Sequence, residues 1–260
     1  MANSQIKKAL VGISFSLVSW QALAVPIQWT DWTSGETTVD GFIGMGVITT
    51  DTATIDVTYM NPQGIAFFQS SGGPDYWTPR DPTVSPYTSD IVDNIPTDTD
   101  IVALRYAGMQ TLSFSEAIAN PVFSYVSLNG NGYAFDQDFE ILSFGNASDG
   151  NACGYWGCGT SYKNIVDLGG DVFEYQLLGT GEPHGTIRFT GAFDTVSWRS
   201  LSNEYWNGFT VGVEGTADEV FPEPDPEPDP TPVAEPGTFS VVALALLFLS
   251  RLRRRPNRQH

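Results

Sequence analysis

The sequence predicts an all-β fold, an antiparallel two-sheet sandwich of jelly-roll type. About ten short segments alternate apolar and polar residues with a period of two, the pattern of strands with one buried face. Gly, Pro, Asn and Asp fill the gaps between these segments, and no segment has the periodicity of a convincing helix. No internal sequence repeat is apparent, which argues against a propeller or a β-helix.

The strands follow from this alternation in chain order. The clearest run covers residues 47–60, where Ile55, Val57 and Tyr59 fall on the face that we expect to be buried. Shorter runs predict strands at residues 101–106, 111–114, 122–128, 133–144, 172–178, 186–189, 195–198 and 209–213. Asn129-Gly130-Asn131-Gly132 predicts a β-hairpin turn, because Asn and Gly tolerate the positive φ angles of tight turns.

The N-terminus has the pattern of a secretory signal peptide. Lys7 and Lys8 precede an apolar run at residues 9–18, and Ala22-Leu23-Ala24 offers a small-residue cleavage site. We therefore predict a signal peptide over residues 1–24 and export through the Sec machinery. A buried core helix is the alternative, but the order of charge, apolar run and small residues argues against it.

A proline-rich linker is expected after the sandwich. Residues 221–232 carry proline at every second position, with acidic residues between most of them. Proline fixes φ and lacks a backbone donor, and like charges repel, so this segment predicts an extended polyproline II spacer. The predicted boundaries are 25–217 for the sandwich, 218–232 for the acidic linker and 233–260 for a C-terminal tail.

The tail has the pattern of a short membrane-inserting segment. An apolar stretch at residues 239–249 is followed by a basic cluster, which predicts a transmembrane helix at about 238–252 with its basic end in the cytoplasm. From Pro236 to Leu252 there are 17 residues. That length is roughly 25 Å of helix, the lower limit for crossing a bilayer. An ordinary single-pass anchor is the alternative to a segment that is held briefly and then cut.

This tail resembles the PEP-CTERM sorting signal of Gram-negative bacteria. The resemblance rests on the Ala234-Glu235-Pro236 box, the following Gly237, the apolar helix and the basic residues Arg253, Arg254 and Arg255. The box departs from the family pattern at Ala234, where proline is usual. The resemblance implies an exosortase, a membrane-embedded cysteine transpeptidase, as partner. It also implies an inner-membrane intermediate and delivery to the cell surface or exopolysaccharide matrix.

The charge balance of the exported body excludes several partners. Of 30 acidic and 12 basic residues in the chain, 29 and five lie within residues 25–232, a net charge of −24 there. Such a surface repels nucleic acid and anionic lipid, and it attracts divalent cations or basic partners. Solubility outside the cell is the alternative reason for this charge.

Two cysteines occur, Cys153 and Cys158. An exported chain meets an oxidising compartment, so we expect a disulfide that closes a six-residue loop and presents Tyr155 and Trp156. Free thiols or metal ligands are the alternative.

Three carboxylates are candidate calcium ligands. If residues 133–144 form one strand, alternation places Asp136, Asp138 and Glu140 on the same face. Calcium prefers several hard oxygen ligands, so this face is a candidate structural calcium site. A solvated outer face is the alternative.

Aromatic residues in loops are candidate glycan contacts. Tyr76 and Trp77 follow a Gly-Gly-Pro turn, and Tyr155 and Trp156 lie in the cysteine loop. Exposed rings on rigid loops can stack on sugar rings, while the alternative is that these rings cap the core. A separate set of tryptophans lies in strand-like runs and is predicted to be core: Trp29, Trp32, Trp198 and Trp206.

No catalytic residue is predicted. The sequence has no G-x-S-x-G nucleophile elbow, and His184, in a Glu-Pro-His-Gly segment, reads as a surface-turn residue. These features favour an exported, non-catalytic protein with a structural or glycan-binding role. The alternative is a secreted polysaccharide hydrolase that uses paired carboxylates such as Asp136 and Asp138.

Overall fold

A computed structural model describes residues 24–222, and these form an all-β sandwich of two antiparallel sheets, as the alternation predicts. The strands are β1 (Gln28–Trp29), β2 (Asp31–Thr38), β3 (Gly41–Thr49), β4 (Thr54–Asn61), β5 (Phe67–Gln69), β6 (Ile101–Leu104), β7 (Gly108–Ala119), β8 (Val122–Val126), β9 (Gly132–Phe135), β10 (Glu140–Phe144), β11 (Gly159–Gly169), β12 (Val172–Gly181), β13 (Gly185–Arg188), β14 (Ala192–Ser200), β15 (Asn207–Val213) and β16 (Gly215–Thr216). A 3-10 turn covers Ala147–Asp149, and a short helix, α1, covers Ala217–Val220.

Several predictions lie outside the described residues. They are most of the signal peptide, including Ala22, the linker beyond Pro222, and the whole sorting tail from residue 233. Residues 218–220, which the sequence places at the start of the linker, belong to α1. Within residues 24–222, no helix has the length and apolar character that a membrane crossing requires.

The two sheets differ in size. The seven-stranded sheet has the order β10-β13-β8-β15-β6-β5, with β1 also paired to β15. The nine-stranded sheet has the order β11-β12-β9-β14-β7-β4-β3-β2, with β16 also paired to β7. At the rim of the nine-stranded sheet, β11 and β12 pair from Gly159↔Gly181 to Gly169↔Val172 as a long hairpin.

An aromatic core fills the space between the sheets. Trp198 on β14 packs against Phe123 and Phe209 of the opposite sheet, with ring centroids 5.4 and 5.0 Å apart. Both contacts are edge-to-face, the geometry that aromatic quadrupoles favour. Ile55, Val57 and Tyr59 are all buried on β4, which confirms the buried face predicted there. The predicted run at residues 47–60 is not one strand, however, because β3 ends at Thr49 and β4 begins at Thr54.

The predicted hairpin at Asn129-Gly130-Asn131-Gly132 is wrong. β8 pairs with β13 and β15 in one sheet, whereas β9 pairs with β12 and β14 in the other. The segment therefore crosses between the sheets. The crossing starts at Ser127, whose positive φ of 55° turns the chain, and it lets Leu128 enter the core.

The predicted strand at residues 133–144 is also wrong as a single strand. It breaks between Phe135 and Glu140, and its halves, β9 and β10, belong to different sheets. The physical reason is burial of Phe139, which is 2% exposed and packs edge-to-face on Phe135 at 5.5 Å.

β15 connects the two ends of the sandwich. Its seven residues run from Asn207, directly after Trp206, to Val213, shortly before α1. At about 3.3 Å per residue it spans roughly 23 Å. At the α1 end, Thr216 and Glu219 form a capping box, and Thr50 Oγ1 also donates to Glu219 at 2.8 Å.

Candidate functional site

Exposed and half-buried aromatic side chains gather at the end of the sandwich opposite α1. Tyr76, Tyr155, Trp156 and Trp206 form a chain of ring contacts, with centroids 5.0 Å apart for Tyr76–Tyr155, 4.9 Å for Tyr155–Trp156 and 6.3 Å for Trp156–Trp206. Tyr205 lies next to Trp206 and is 83% exposed. We call these five residues the aromatic cluster. So much exposed ring surface in one place is typical of a binding site.

The cysteine loop positions two members of the cluster. Cys153 and Cys158 form the predicted disulfide, with Cα atoms 4.4 Å apart. Within the loop, Gly154 lies so close to the ring of His184 that a Cβ atom there would overlap the ring. Glycine is therefore required for this close approach. Together these contacts hold Tyr155 and Trp156 outward, at 42% and 52% exposure.

A second loop brings Tyr205 and Trp206 to the same place. The backbone N–H of Glu204 donates to the Arg105 carbonyl at 3.1 Å. Trp206 then packs edge-to-face on Phe67 and on Tyr76, each at 5.0 Å. These contacts fix one face of Trp206 and leave the side chain half-buried.

Between the two loops lies a cleft of about 370 Å³. It is lined by Ser127, Asn129, Trp156, Glu182, Tyr205 and Trp206. Apolar walls with a few convergent polar groups are the usual composition of a small-ligand site. A larger cavity of about 590 Å³ lies beside β10, but its only aromatic, Phe139, belongs to the core.

Glu182 is the charged group of the cleft. Its carboxylate accepts a hydrogen bond from Ser127 Oγ at 2.6 Å and another from Asn129 Nδ2. A carboxylate offers about four lone-pair positions, so it keeps acceptor capacity for a ligand. Within residues 24–222, Glu182 has no salt-bridge partner.

Glu204 is a second carboxyl group close to Glu182. Its Oε1 accepts from Asn207 Nδ2, while Oε2 is buried with no hydrogen-bond partner among the described residues. Burial raises the pKa of Glu204 to about 7, and the charge of Glu182 adds to the rise. The Glu204 carboxyl group therefore gains or loses its proton near neutral pH.

The predicted glycan contacts divide between the site and the core. Tyr76, Tyr155 and Trp156 are brought together in the aromatic cluster, whereas Trp77 is 0% exposed. Its indole N–H donates to the Asp100 carbonyl at 3.0 Å, and its ring packs on Tyr87 at 5.2 Å. The interpretation of Trp77 as a glycan contact is therefore wrong.

Of the six residues that line the cleft, only Trp156 is a glycan contact predicted from the sequence. Trp206, predicted to be core with Trp29, Trp32 and Trp198, packs against a core cluster but also lines the cleft, beside Tyr205. The other three tryptophans are buried as predicted. A signal was present, because Tyr205-Trp206 repeats the Tyr-Trp dipeptide of Tyr76-Trp77 and Tyr155-Trp156.

The predicted acidic face does not form. Asp136 and Asp138 lie in the break between β9 and β10, and Glu140 begins β10. Asp138 pairs with Lys163 at 2.6 Å and Glu140 pairs with Arg188 at 2.9 Å. No group of three or more His, Cys, Asp or Glu side chains in residues 24–222 is arranged to hold a metal ion. The shared strand face that suggested calcium ligation is therefore absent.

His184 lies in the interior, so its interpretation as a surface residue is wrong. It is 0% exposed, and Nδ1 lies 3.3 Å from the Tyr87 hydroxyl. Nε2 has no partner among the described residues. Burial lowers the pKa of His184 to about 4, so the imidazole is neutral at pH 7.

Fold and cleft together define a two-sheet β-sandwich with an aromatic site built on its loops. Comparison with protein-family models, with curated proteins and with solved structures gave no match to this chain. What the protein does is therefore argued from the cleft and from the sequence.

Proposed function

We propose that this is an exported protein of the cell surface or exopolysaccharide matrix whose non-catalytic β-sandwich binds glycan in the aromatic cleft. The observation that carries the proposal is the grouping of exposed Trp156 and Tyr205 and half-buried Trp206 around Glu182 and Asn129. A sugar ring has apolar C–H faces and polar hydroxyl edges. Aromatic walls suit the faces, and carboxylate and amide groups suit the hydroxyls.

The sequence supplies the route to the surface in this proposal. The signal peptide directs the chain to the Sec machinery, and the PEP-CTERM-like tail is the substrate of an exosortase after an inner-membrane intermediate. Mass spectrometry of the native mature protein tests this route. We expect a C-terminus that lacks Arg253, Arg254 and Arg255, and an intact basic end would contradict processing.

The position of the cleft supports a display role. β15 places the cleft at one end of the sandwich and α1 at the other, and the proposed linker continues from α1. The aromatic cluster thus lies at the end of the sandwich opposite the point where the chain leaves α1. The connections of β8 to β9 and of β9 to β10, which cross between sheets, fit the jelly-roll arrangement that we propose for the sandwich.

Binding measurements with cleft variants test the glycan proposal. Full-length protein in detergent is titrated calorimetrically with oligosaccharides chosen from a glycan array. Trp156→Ala and Tyr205→Ala should each weaken binding at least about fivefold, because an aromatic contact contributes about 1 kcal/mol beyond its buried area. Tyr162→Ala is the matched control, since Tyr162 is 48% exposed on β11, outside the cleft.

Two results would contradict the proposal. One is the absence of binding to any glycan. The other is binding that survives both cleft substitutions, since the ligand would then be held elsewhere.

A hydrolase is the second candidate, and one observation favours it. Burial, with a smaller contribution from the nearby charge of Glu182, raises the pKa of Glu204 to about 7. A glycoside hydrolase pairs a general acid of raised pKa with an ionised carboxylate. If the wild-type protein released reducing sugar from a polysaccharide and Glu204→Gln did not, the protein would be a hydrolase and the non-catalytic proposal would be wrong. We expect no release from the wild-type protein.

A further inference from the structure

The polar groups of the cleft are arranged to accept hydrogen bonds. Ser127 and Asn129 both direct a donor at Glu182, so these two donors are already used. What these three side chains leave for a ligand is mainly acceptor capacity, on the Glu182 carboxylate, the Asn129 carbonyl oxygen and the Ser127 hydroxyl. The donors that line the cleft belong to its aromatic walls, the indole N–H groups of Trp156 and Trp206 and the Tyr205 hydroxyl. The set of acceptors suits a ligand that is rich in donors.

No basic side chain lines the cleft. Four of the five basic residues in the described part of the chain are held by carboxylates elsewhere: Arg80 by Asp75, Lys163 by Asp138, Arg188 by Glu140 and Glu214, and Arg199 by Glu174. The fifth, Arg105, lies over the ring of Tyr106. An anionic sugar would therefore meet Glu182 with no compensating cation.

Aromatic walls add to the preference for a cation. Trp156 and Trp206 stand beside Glu182, with their ring centroids 6.3 Å apart and their planes inclined at 72°. The face of an indole ring attracts an ammonium group through its quadrupole, and a neighbouring carboxylate reinforces that attraction. A site of this composition binds a positively charged group better than a neutral one of the same shape.

We infer that the cleft selects sugars that carry a protonated amino group, as in a polymer of de-N-acetylated hexosamine. The ammonium group contacts Glu182, while the sugar ring packs on Trp156. This inference rests on the proposed glycan-binding function and names the class of sugar. The acidic body, with a net charge of −24 over residues 25–232, favours the approach of such a polymer.

The test compares three hexasaccharides of similar shape: β-1,4-linked glucosamine, N-acetylglucosamine and glucose. Each is titrated into full-length protein in detergent at about pH 6, where a sugar ammonium is charged and a carboxylate is ionised. We expect the glucosamine hexamer to bind at least about tenfold more tightly than the other two. Its affinity should also fall as salt is raised, because salt screens charge attraction.

Glu182→Gln separates the role of the charge from that of the cleft. The affinity for the glucosamine hexamer should fall by more than the affinity for the glucose hexamer. Glu116→Gln is the matched control, because it removes the same charge from an exposed position on β7 outside the cleft. It should leave the preference unchanged.

Each alternative result is informative. Equal or tighter binding of a neutral hexamer would overturn the inference and leave glycan binding standing. Equal losses for both hexamers in Glu182→Gln would assign that residue a structural role and also overturn it. Loss of the preference in Glu116→Gln would show that overall charge, not the cleft, selects the ligand. If no hexamer binds, the proposed function fails as well.

Discussion

The protein uses aromatic residues in two regions, between the sheets and in the aromatic cluster, and the two differ in what surrounds each ring. Trp198 has 0% exposure and contacts rings from both sheets. Trp156 is 52% exposed, and its ring contacts are Tyr155 and Trp206 within the cluster. Trp198 therefore contributes to the stability of the fold, whereas the solvent-facing side of Trp156 is available to a ligand.

Replacement of Trp198 in the core should lower the free energy of unfolding most. Trp198→Ala removes a ring that touches five others and leaves a cavity between the sheets. We expect the free energy of unfolding to fall by about 3–5 kcal/mol, measured by urea denaturation monitored by far-ultraviolet circular dichroism. A loss of less than about 1 kcal/mol in the free energy of unfolding would contradict the assignment of Trp198 to the core, because surface substitutions have effects of that size.

An effect of intermediate size is expected where the two regions meet, at His184. Its ring contacts Tyr87 of the core on one side and Gly154 of the cysteine loop on the other. Burial lowers the pKa of His184 from 6.5 to about 4, so as the pH falls the histidine is protonated in the unfolded chain at a higher pH than in the folded one. The stability contributed by neutral His184 is therefore present above pH 6.5 and lost as the pH falls towards 4, by about 3 kcal/mol in all.

His184→Phe should remove this pH dependence. The measurement is the difference between the unfolding free energies of variant and wild type from pH 7 to 4. Taking the difference cancels Glu204 and Asp100, whose raised pKa values of about 7 and 6 make their contributions fall as pH rises. Parallel curves for the two proteins would contradict the assignment of His184 as a buried neutral residue.

Replacement of the exposed Trp156 should change the stability of the protein least. Trp156→Ala should change the free energy of unfolding by no more than about 0.5 kcal/mol, because the ring has solvent on one face. The same urea titration measures it. A loss comparable to that of Trp198→Ala would mean that the aromatic cluster is part of the core.

Local sequence predicted the sheets better than it predicted the site. Alternation in residues 47–60 identifies the buried face of β4 correctly, since a period of two is a property of the strand itself. The Tyr-Trp dipeptides are different. Trp77 and Trp156 have similar neighbours in the chain, but only Trp77 finds a buried carbonyl, that of Asp100, 23 residues away. Such a long-range contact cannot be read from the dipeptide.

The turn motif likewise does not predict which strands pair. Asn129-Gly130-Asn131-Gly132 does mark a change of chain direction, yet it leads from one sheet to the other. Pairing partners depend on the packing of Tyr133 and Phe135 against the opposite sheet, which the turn does not encode. The cleft follows from this crossing, because it places Ser127 and Asn129 beside Glu182.

The run of β15 from the cleft to α1 has a mechanical consequence. A force applied between Trp206 and Pro222 acts on the two ends of one continuous chain segment, which contains β15. That force is carried by the covalent backbone of β15 and does not have to pass through its hydrogen bonds to β8, β6 and β1, which lie across the strand. The link between the cleft and the α1 end of the sandwich therefore does not depend on contacts between strands.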